Sequence, residues 1–326
     1  MITYWAAVLA ISILLYVVLD GFDLGVGMLF GTTSDEDHRQ SMLSSISPVW
    51  DGNETWLVVA GVTLWGAFPP VYAAALSAFY IPVSLMLVGL IFRGVSFEFR
   101  SHAHRSRWVW TLGLFFGSLC AAFMQGAMVG SLVEGLPVVN GRFAGDAMTW
   151  LSPFSVLCGI SLCFGYTLLG AGWVARKCVG KARSKALSLA PRLAGITLIL
   201  VFILFAHALI SNLRIMDRWI DRPILFVVPV IAAAAYWVIL SGCKRDNDRS
   251  PFNGTVLLFI CAYAMFAISF WPYMIPFSIT LQEAASPTSS LRFMFWGAGL
   301  VVFPLMLIYT ACSYWVFKGK SVIHHH

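Results

Sequence analysis

The sequence predicts an all-α polytopic membrane protein with nine transmembrane helices. Of its 326 residues, 59% are hydrophobic and only 11% are charged, whereas a soluble domain carries about 25% charged residues. The mean hydropathy of +0.81 indicates the same class. So few charges cannot cover the surface of a soluble chain of this length. The composition therefore argues against a soluble enzyme, a disordered chain and a nucleic-acid-binding protein.

Nine apolar segments are candidates for crossing a bilayer, whose hydrocarbon core of about 30 Å requires about 20 residues per helix. They cover roughly residues 3–29, 50–68, 75–98, 108–133, 152–176, 189–211, 223–241, 255–275 and 292–317. Strands are not expected, because sustained alternation of polar and apolar residues is missing from the sequence. We take residues 1–323 as a single transmembrane domain and His324–His326 as a tag remnant.

Basic residues are concentrated in alternate loops. One set of connections contains 16 of the 21 Lys and Arg residues, and we call this the basic side. These residues are Arg39, Arg93, Arg100, Arg105, Arg107, Arg176, Lys177, Lys181, Arg183, Lys185, Arg192, Lys244, Arg245, Arg249, Lys318 and Lys320. The other set contains Arg142, Arg214, Arg218, Arg222 and Arg292. The positive-inside rule then predicts a cytoplasmic C-terminus and an N-terminus outside the cell.

The first predicted helix contains two acids at a depth where lipid is expected. Fifteen residues separate Trp5, which suits the outer interface, from Asp20. At about 1.5 Å per residue, Asp20 lies roughly 22 Å further in. This places Asp20 in the cytoplasmic half of the membrane and Asp23 one turn closer to the cytoplasm, on the same face of the helix.

The second predicted helix contains two more acids. The apolar run from Trp56 to Phe68 has only 13 residues, too few to span a bilayer. The helix must therefore include Trp50–Thr55, and with it Asp51 and Glu54. Because the first two helices are antiparallel, all four acids are expected at similar depth near the basic side.

Two interpretations of these acids compete. A charge in the middle of a helix within lipid costs at least about 2.5–3.5 kcal/mol, so it normally faces protein or pairs with a cation. In the first interpretation Asp51 and Glu54 are interfacial caps, and Asp23 pairs with a base such as Arg93. In the second the acids form a proton relay from the cytoplasm. Asp20 favours the second, because it is deepest and has no basic neighbour in the sequence.

The end of the third predicted helix supplies three candidate charge partners, namely Arg93, Glu98 and Arg100. Their side chains either extend to the cytoplasmic surface or pair with Asp23 or Glu54. The sequence leaves both alternatives open.

A metal site within this chain is not expected. His207 lies inside the sixth predicted helix, but a haem site usually shows further axial His, Met or Cys ligands. We therefore interpret His207 as a hydrogen-bonded core residue. The seven cysteines form no CxxC pair, so a thiolate site is not indicated. The residues alone indicate a proton-handling subunit, a scaffold subunit or a transporter.

Two motifs, Asp20–Gly27 (DGFDLGVG) and Trp50–Trp56 (WDGNETW), resemble those of subunit II of the cytochrome bd-type quinol oxidases. Three further stretches agree with this resemblance, namely Phe68–Ala75, Phe79–Tyr80 and Phe92–Arg100. Within the family, WDGNETW is similar to the cyanide-insensitive branch.

The resemblance implies two four-helix bundles plus one peripheral helix, paired with a related subunit I. That partner would carry a low-spin haem b, a high-spin haem b and haem d, while this chain would ligate no haem. The complex would oxidise quinol near the outer face and reduce O2 to water with cytoplasmic protons, which creates a proton gradient without pumping. By motif, Asp20, Asp23 and Asp51 would be acids of the proton route. Glu54 is matched by other polar residues in some members, so its role is less firmly implied.

The resemblance also implies a multi-pass protein of the bacterial inner membrane. A structural quinone or lipid in this subunit and a small single-helix accessory subunit are further expectations. Two alternatives stay open. Buried acids and proline-broken helices also fit a proton-coupled secondary transporter, and the chain could be a purely structural subunit that conducts no proton.

Overall fold

The computed structural model describes residues 1–103, 105–211 and 213–321, without the side chains of Leu213 and Arg214. The expected tag remnant at His324–His326 lies outside the described residues, as does the side chain of Arg214, one of the five bases placed opposite the basic side.

Helices dominate the described chain. They are α1 (Ile2–Phe30), α2 (Glu36–Ile46), α3 (Trp50–Ala67), α4 (Pro69–His102), α5 (Arg107–Glu134), α6 (Pro153–Lys177), α7 (Gly180–Ser211), α8 (Leu213–Asp221), α9 (Val227–Lys244), α10 (Ser250–Phe270), α11 (Leu281–Ala284), α12 (Thr288–Met294) and α13 (Val302–Val316). A 3₁₀ turn at Pro223–Phe226 leads into α9, and a π-helical segment at Phe295–Gly299 joins α12 to α13.

Two short antiparallel hairpins lie in loops on the side opposite the basic side. In the first, β1 (Val138–Val139) pairs with β2 (Arg142–Phe143). In the second, β3 (Tyr273–Ile275) pairs with β4 (Ile279–Thr280). We predicted that the transmembrane segment before this hairpin continues to residue 275, but α10 ends at Phe270 and β3 begins at Tyr273. Pro272 has no backbone N–H with which to continue the helix.

The predicted all-α polytopic fold is confirmed. Within the described residues, eight helices are long and apolar enough to cross a membrane. The predicted second span is helical from Trp50 to Ala67 but is not among these eight, so the count of nine is not established by length and composition. Its first two turns contain Asp51, Asn53 and Glu54, which lower its apolar character.

Eight of the helices form two bundles of four, and we call each bundle a ring because its helices pack against one another in a closed cycle. In the first, α1 packs against α3 and α5, and α4 packs against both α3 and α5. In the second, α6 and α9 each pack against α7 and α10. The rings meet where α6 packs against α1 and α5. The last helix, α13, lies at the periphery, because none of its side chains is buried.

Hydrogen bonds and an ion pair hold the C-terminal end of the peripheral helix on the basic side. Lys177 Nζ, at the end of α6, donates to the backbone carbonyls of Phe317 and Gly319. Lys320 Nζ donates to Asp248 Oδ2 at 2.6 Å, in the loop before α10. These contacts hold the basic end of α13 beside the second ring.

Candidate functional site

A buried ion-pair cluster joins α1, α3 and α4 near the basic side. Arg93 Nη1 of α4 donates to Asp20 Oδ1 of α1 at 2.5 Å, and Arg93 Nη2 donates to Glu54 Oε2 of α3 at 3.0 Å. The guanidinium also lies 5.9 Å from the ring centre of Trp50, within the range of a cation–π contact. One arginine therefore neutralises part of the charge of two acids that come from different helices.

A second polar chain lies beside this cluster. Asn53 Nδ2 donates to Asp23 Oδ2 at 2.7 Å. Tyr314 Oη of the peripheral helix donates to Asn53 Oδ1 at 2.8 Å. Asp23 is thus hydrogen bonded by an amide and not paired with Arg93.

Solvent exposure falls along the acids from the surface inward. Asp51 is exposed. The Glu54 side chain is 27% exposed, that of Arg93 is 4% exposed and that of Asp20 is fully buried. Asp20 Oδ2, Asp23 Oδ1 and Arg93 Nε have no hydrogen-bond partner among the described residues. The buried end of the series therefore keeps free acceptor and donor capacity.

The three candidate charge partners have different environments. Arg93 contacts Asp20 and Glu54, as described above. Arg100 is buried but donates instead to Glu36 of α2 and, at 3.1 Å, to Thr111 Oγ1 of α5. Glu98 is exposed. The structure thus brings Arg93 into the acid cluster and leaves Arg100 and Glu98 outside it.

The interpretation of His207 as a core residue is wrong. Its side chain is exposed on the surface of the chain. One ring nitrogen lies 3.2 Å from Ser211 Oγ, and the ring stacks on Phe154 with a centroid distance of 4.8 Å. Its position in an apolar helix did not reveal which face it occupies, because α7 is apolar on several faces.

Sequence reasoning missed several polar residues that the structure places beside the acids. Asn53 lies within the WDGNETW motif, next to Glu54, and its polar amide in a membrane helix could have drawn attention. Tyr314 could not be told from an ordinary interfacial aromatic residue. The third missed feature is a buried chain in which Tyr166 Oη donates to Gln125 Oε1 and Gln125 Nε2 donates to Tyr16 Oη, both at 2.8 Å. Tyr16 lies one turn from Asp20 on α1.

Comparisons with known proteins agree with this architecture. The sequence matches the family model for cytochrome bd terminal oxidase subunit II over residues 1–317. It is 30% identical to cytochrome bd-I ubiquinol oxidase subunit 2 of Escherichia coli (strain K12), over 97% of this chain and 94% of that protein. It is 28% identical to cytochrome bd ubiquinol oxidase subunit 2 of Bacillus subtilis (strain 168), over 98% of this chain and 96% of that protein.

The fold is also similar to that of a solved structure, the bd oxidase from Geobacillus thermodenitrificans. The TM-score is 0.80 at 19% sequence identity, covering 97% of this chain and 96% of that chain. At this identity the match shows a shared fold. The match to the family model over residues 1–317 and the 30% identity to the Escherichia coli protein show that the chain belongs to the cytochrome bd terminal oxidase subunit II family.

Proposed function

We propose that this chain stabilises a haem-bearing subunit I and supplies a proton route to it from the cytoplasm. The complex would oxidise quinol and reduce O2 to water, and it would build a proton gradient because the protons consumed come from the cytoplasm. The haems of the partner, two of type b and one of type d, would provide the electron transfer and O2 chemistry.

The observation that carries the proposal is the gradient of exposure from Asp51 through Glu54 to Asp20. An exposed carboxylate can take up a proton from water, and a partly exposed one lies next to it on the same helix face. Arg93 then links Glu54 to the fully buried Asp20. A membrane-embedded acid that faces protein and pairs with a cation is typical of a proton pathway.

Within this route each residue has a separate task. Asp51 would collect protons at the surface, and Glu54 would receive them at the edge of the protein. Arg93 would hold Asp20 and Glu54 in place and offset their negative charge. Asp20 and Asp23, three residues apart on α1, would be the buried sites from which protons leave toward subunit I.

The orientation of the chain is part of the proposal. The basic side would face the cytoplasm of a bacterial cell, with α1 starting at the outer surface. A structural quinone or lipid, a small accessory helix, and membership of the cyanide-insensitive branch stay predictions from the resemblance.

Replacement of the acids tests the route. We expect Asp20→Asn and Asp51→Asn, each in the complete oxidase complex, to lower O2 consumption about tenfold or more, as removal of a proton-transfer group does. The haem absorbance spectrum should stay unchanged. Asp37→Asn is the matched control, because Asp37 is an exposed acid of α2 on the same side, and it should leave turnover as it is.

The same experiment separates the alternatives. Full turnover in the Asp20→Asn, Asp51→Asn double variant would contradict the route and leave a purely structural subunit. Loss of haem together with activity would make the acids structural. The family match over residues 1–317 favours an oxidase subunit over the proton-coupled transporter, and a purified complex without haem absorbance would reverse that preference.

A further inference from the structure

The amide of Asn53 holds the buried Asp23 carboxylate from one side. Its nitrogen contacts two acceptors, Asp23 Oδ2 at 2.7 Å and the backbone carbonyl of Leu19 at 3.4 Å. Its oxygen accepts from Tyr314 Oη at 2.8 Å. Asn53 is 2% exposed, so water cannot easily replace any of these partners.

The Tyr314 hydroxyl is itself fixed by packing. Its ring makes edge contacts with Phe22 and Trp173, at centroid distances of 6.4 and 6.0 Å. The aromatic side chains of Phe22 and Trp173 stack on each other in the buried contact between α1 and α6. Although α13 is peripheral, this one side chain reaches inward to the polar cluster.

A primary amide can rotate by half a turn and exchange its oxygen and nitrogen. In the rotated state the Asn53 carbonyl would face the Asp23 carboxylate, and two acceptors would oppose each other. A phenol that donates to Oδ1 favours the observed state, in which the amide N–H groups point at Asp23. Removing the hydroxyl would leave Oδ1 buried without a donor, which is costly in a membrane interior.

We propose that Tyr314 is a positioning residue that acts through Asn53 to hold the Asp23 carboxylate in place. The peripheral helix would thereby have a direct influence on the proton route. The effect on turnover rests on the function proposed above, whereas the positioning itself does not. The charged groups that share this region are Asp20, Glu54 and Arg93, and none of them makes a hydrogen bond with Tyr314.

The test is Tyr314→Phe in the complete complex, which keeps the ring contacts and removes only the hydroxyl. The matched control is Tyr309→Phe on the same helix, because Tyr309 is 65% exposed. The first readout is the set of infrared bands of the Asp23 carboxyl group, identified by their loss in Asp23→Asn. We expect Tyr314→Phe to shift these bands and Tyr309→Phe to leave them in place.

The second readout is O2 consumption in a double-variant cycle. Tyr314→Phe should lower turnover about two- to tenfold, the range expected for one hydrogen bond. In the Asp23→Asn background it should have no further effect, since residues that act through one another are not additive. Asn53→Ala should shift the same bands, which provides a second variant if Tyr314→Phe assembles poorly.

Unshifted Asp23 bands in both Tyr314→Phe and Asn53→Ala would overturn the inference, whatever the turnover. Where Asp23→Asn itself lowers turnover, full additivity of Tyr314→Phe with Asp23→Asn would also overturn it. Shifted bands together with normal turnover in Asp23→Asn would uphold the positioning and count against Asp23 in the proposed proton route. The two proposals can therefore fail separately.

Discussion

At the scale of single residues, the arrangement around Arg93 explains how acids can be buried in this subunit. Isolated charges in a protein interior are strongly disfavoured. The guanidinium is planar and presents its donors in a fork, so it can contact two acids on different helices at once. Asp20 and Glu54 use its two terminal nitrogens. A lysine at this position would offer the charge without the fork.

We expect Arg93→Ala to destabilise the protein by about 3–5 kcal/mol, because loss of one partner leaves the other charge buried and unpaired. Arg93→Lys should cost less, since it keeps the positive charge. Thermal denaturation of the purified complex measures both variants. Arg105→Ala is the control, because Arg105 is exposed in the loop after α4. A melting temperature of Arg93→Ala equal to that of the control would show that the ion pair does not stabilise the fold.

The sequence predicted that Asp20 is buried near the basic side, but not its partner. Helix rise and loop charge gave the depth, and both depend only on local sequence. Arg93 is 73 residues away from Asp20, and its contact depends on how α4 packs against α3 and α5 within the first ring. The alternatives of surface extension and pairing were left open for Arg93 and Arg100 for the same reason. Both arginines are buried, yet they pair with different acids.

At the scale of helices, close contact of backbones holds the two rings together. A Cβ atom at Gly25 of α1 would lie 1.8 Å from the carbonyl oxygen of Tyr166 and 2.8 Å from the backbone nitrogen of Gly170 on α6. Gly170 faces Gly25 in the same way. Small residues that allow such approach are a common means of helix association in membranes. This contact sets the position of α1, and with it Asp20 and Asp23.

Gly25→Ala should therefore push α1 away from α6. We expect a loss of about 1–3 kcal/mol or more, the cost of overpacking, and less assembled complex. Gly61→Ala is the matched control, because a Cβ atom there meets nothing within 4 Å. Since alanine favours helix over glycine by about 0.5–1 kcal/mol, Gly61→Ala should be neutral or slightly stabilising. The yield and melting temperature of the two variants check this, and equal behaviour would contradict the contact.

The long helices were predictable because the length of each apolar segment can be read directly from the sequence. The shorter elements were not. The helix α2 is polar and lies at the surface. Asp35 caps its N-terminus, because the Asp35 side chain accepts a hydrogen bond from the backbone N–H of His38. Its role as a partner of Arg100, through Glu36, depends on tertiary packing. The start of α4 was placed too late, because Pro69 and Pro70 indicate an end in a sequence but are also tolerated in the first turn of a helix.

At the scale of the whole molecule, the charge distribution and the acid cluster point to the same side of the membrane. The basic side holds 16 of the 21 Lys and Arg residues. The exposed Asp51 lies at the start of α3, just after the connection that carries Arg39. If the basic side faces the cytoplasm, protons for water formation would be taken from the cell interior. The proposed route therefore depends on the orientation.

Labelling of introduced cysteines tests the orientation across a single helix. Met148 and Lys181 are exposed and lie before and after α6, on opposite sides. In intact spheroplasts a membrane-impermeant maleimide should label Met148→Cys above the background of the parental chain. It should label Lys181→Cys only after the membrane is opened. The reverse pattern would place the basic side outside, and the entrance at Asp51 would then face the wrong compartment for a gradient made by cytoplasmic proton uptake. Family membership would stand in that case, because it rests on the sequence and fold, but the proton route proposed for Asp51, Glu54 and Asp20 would have to be abandoned.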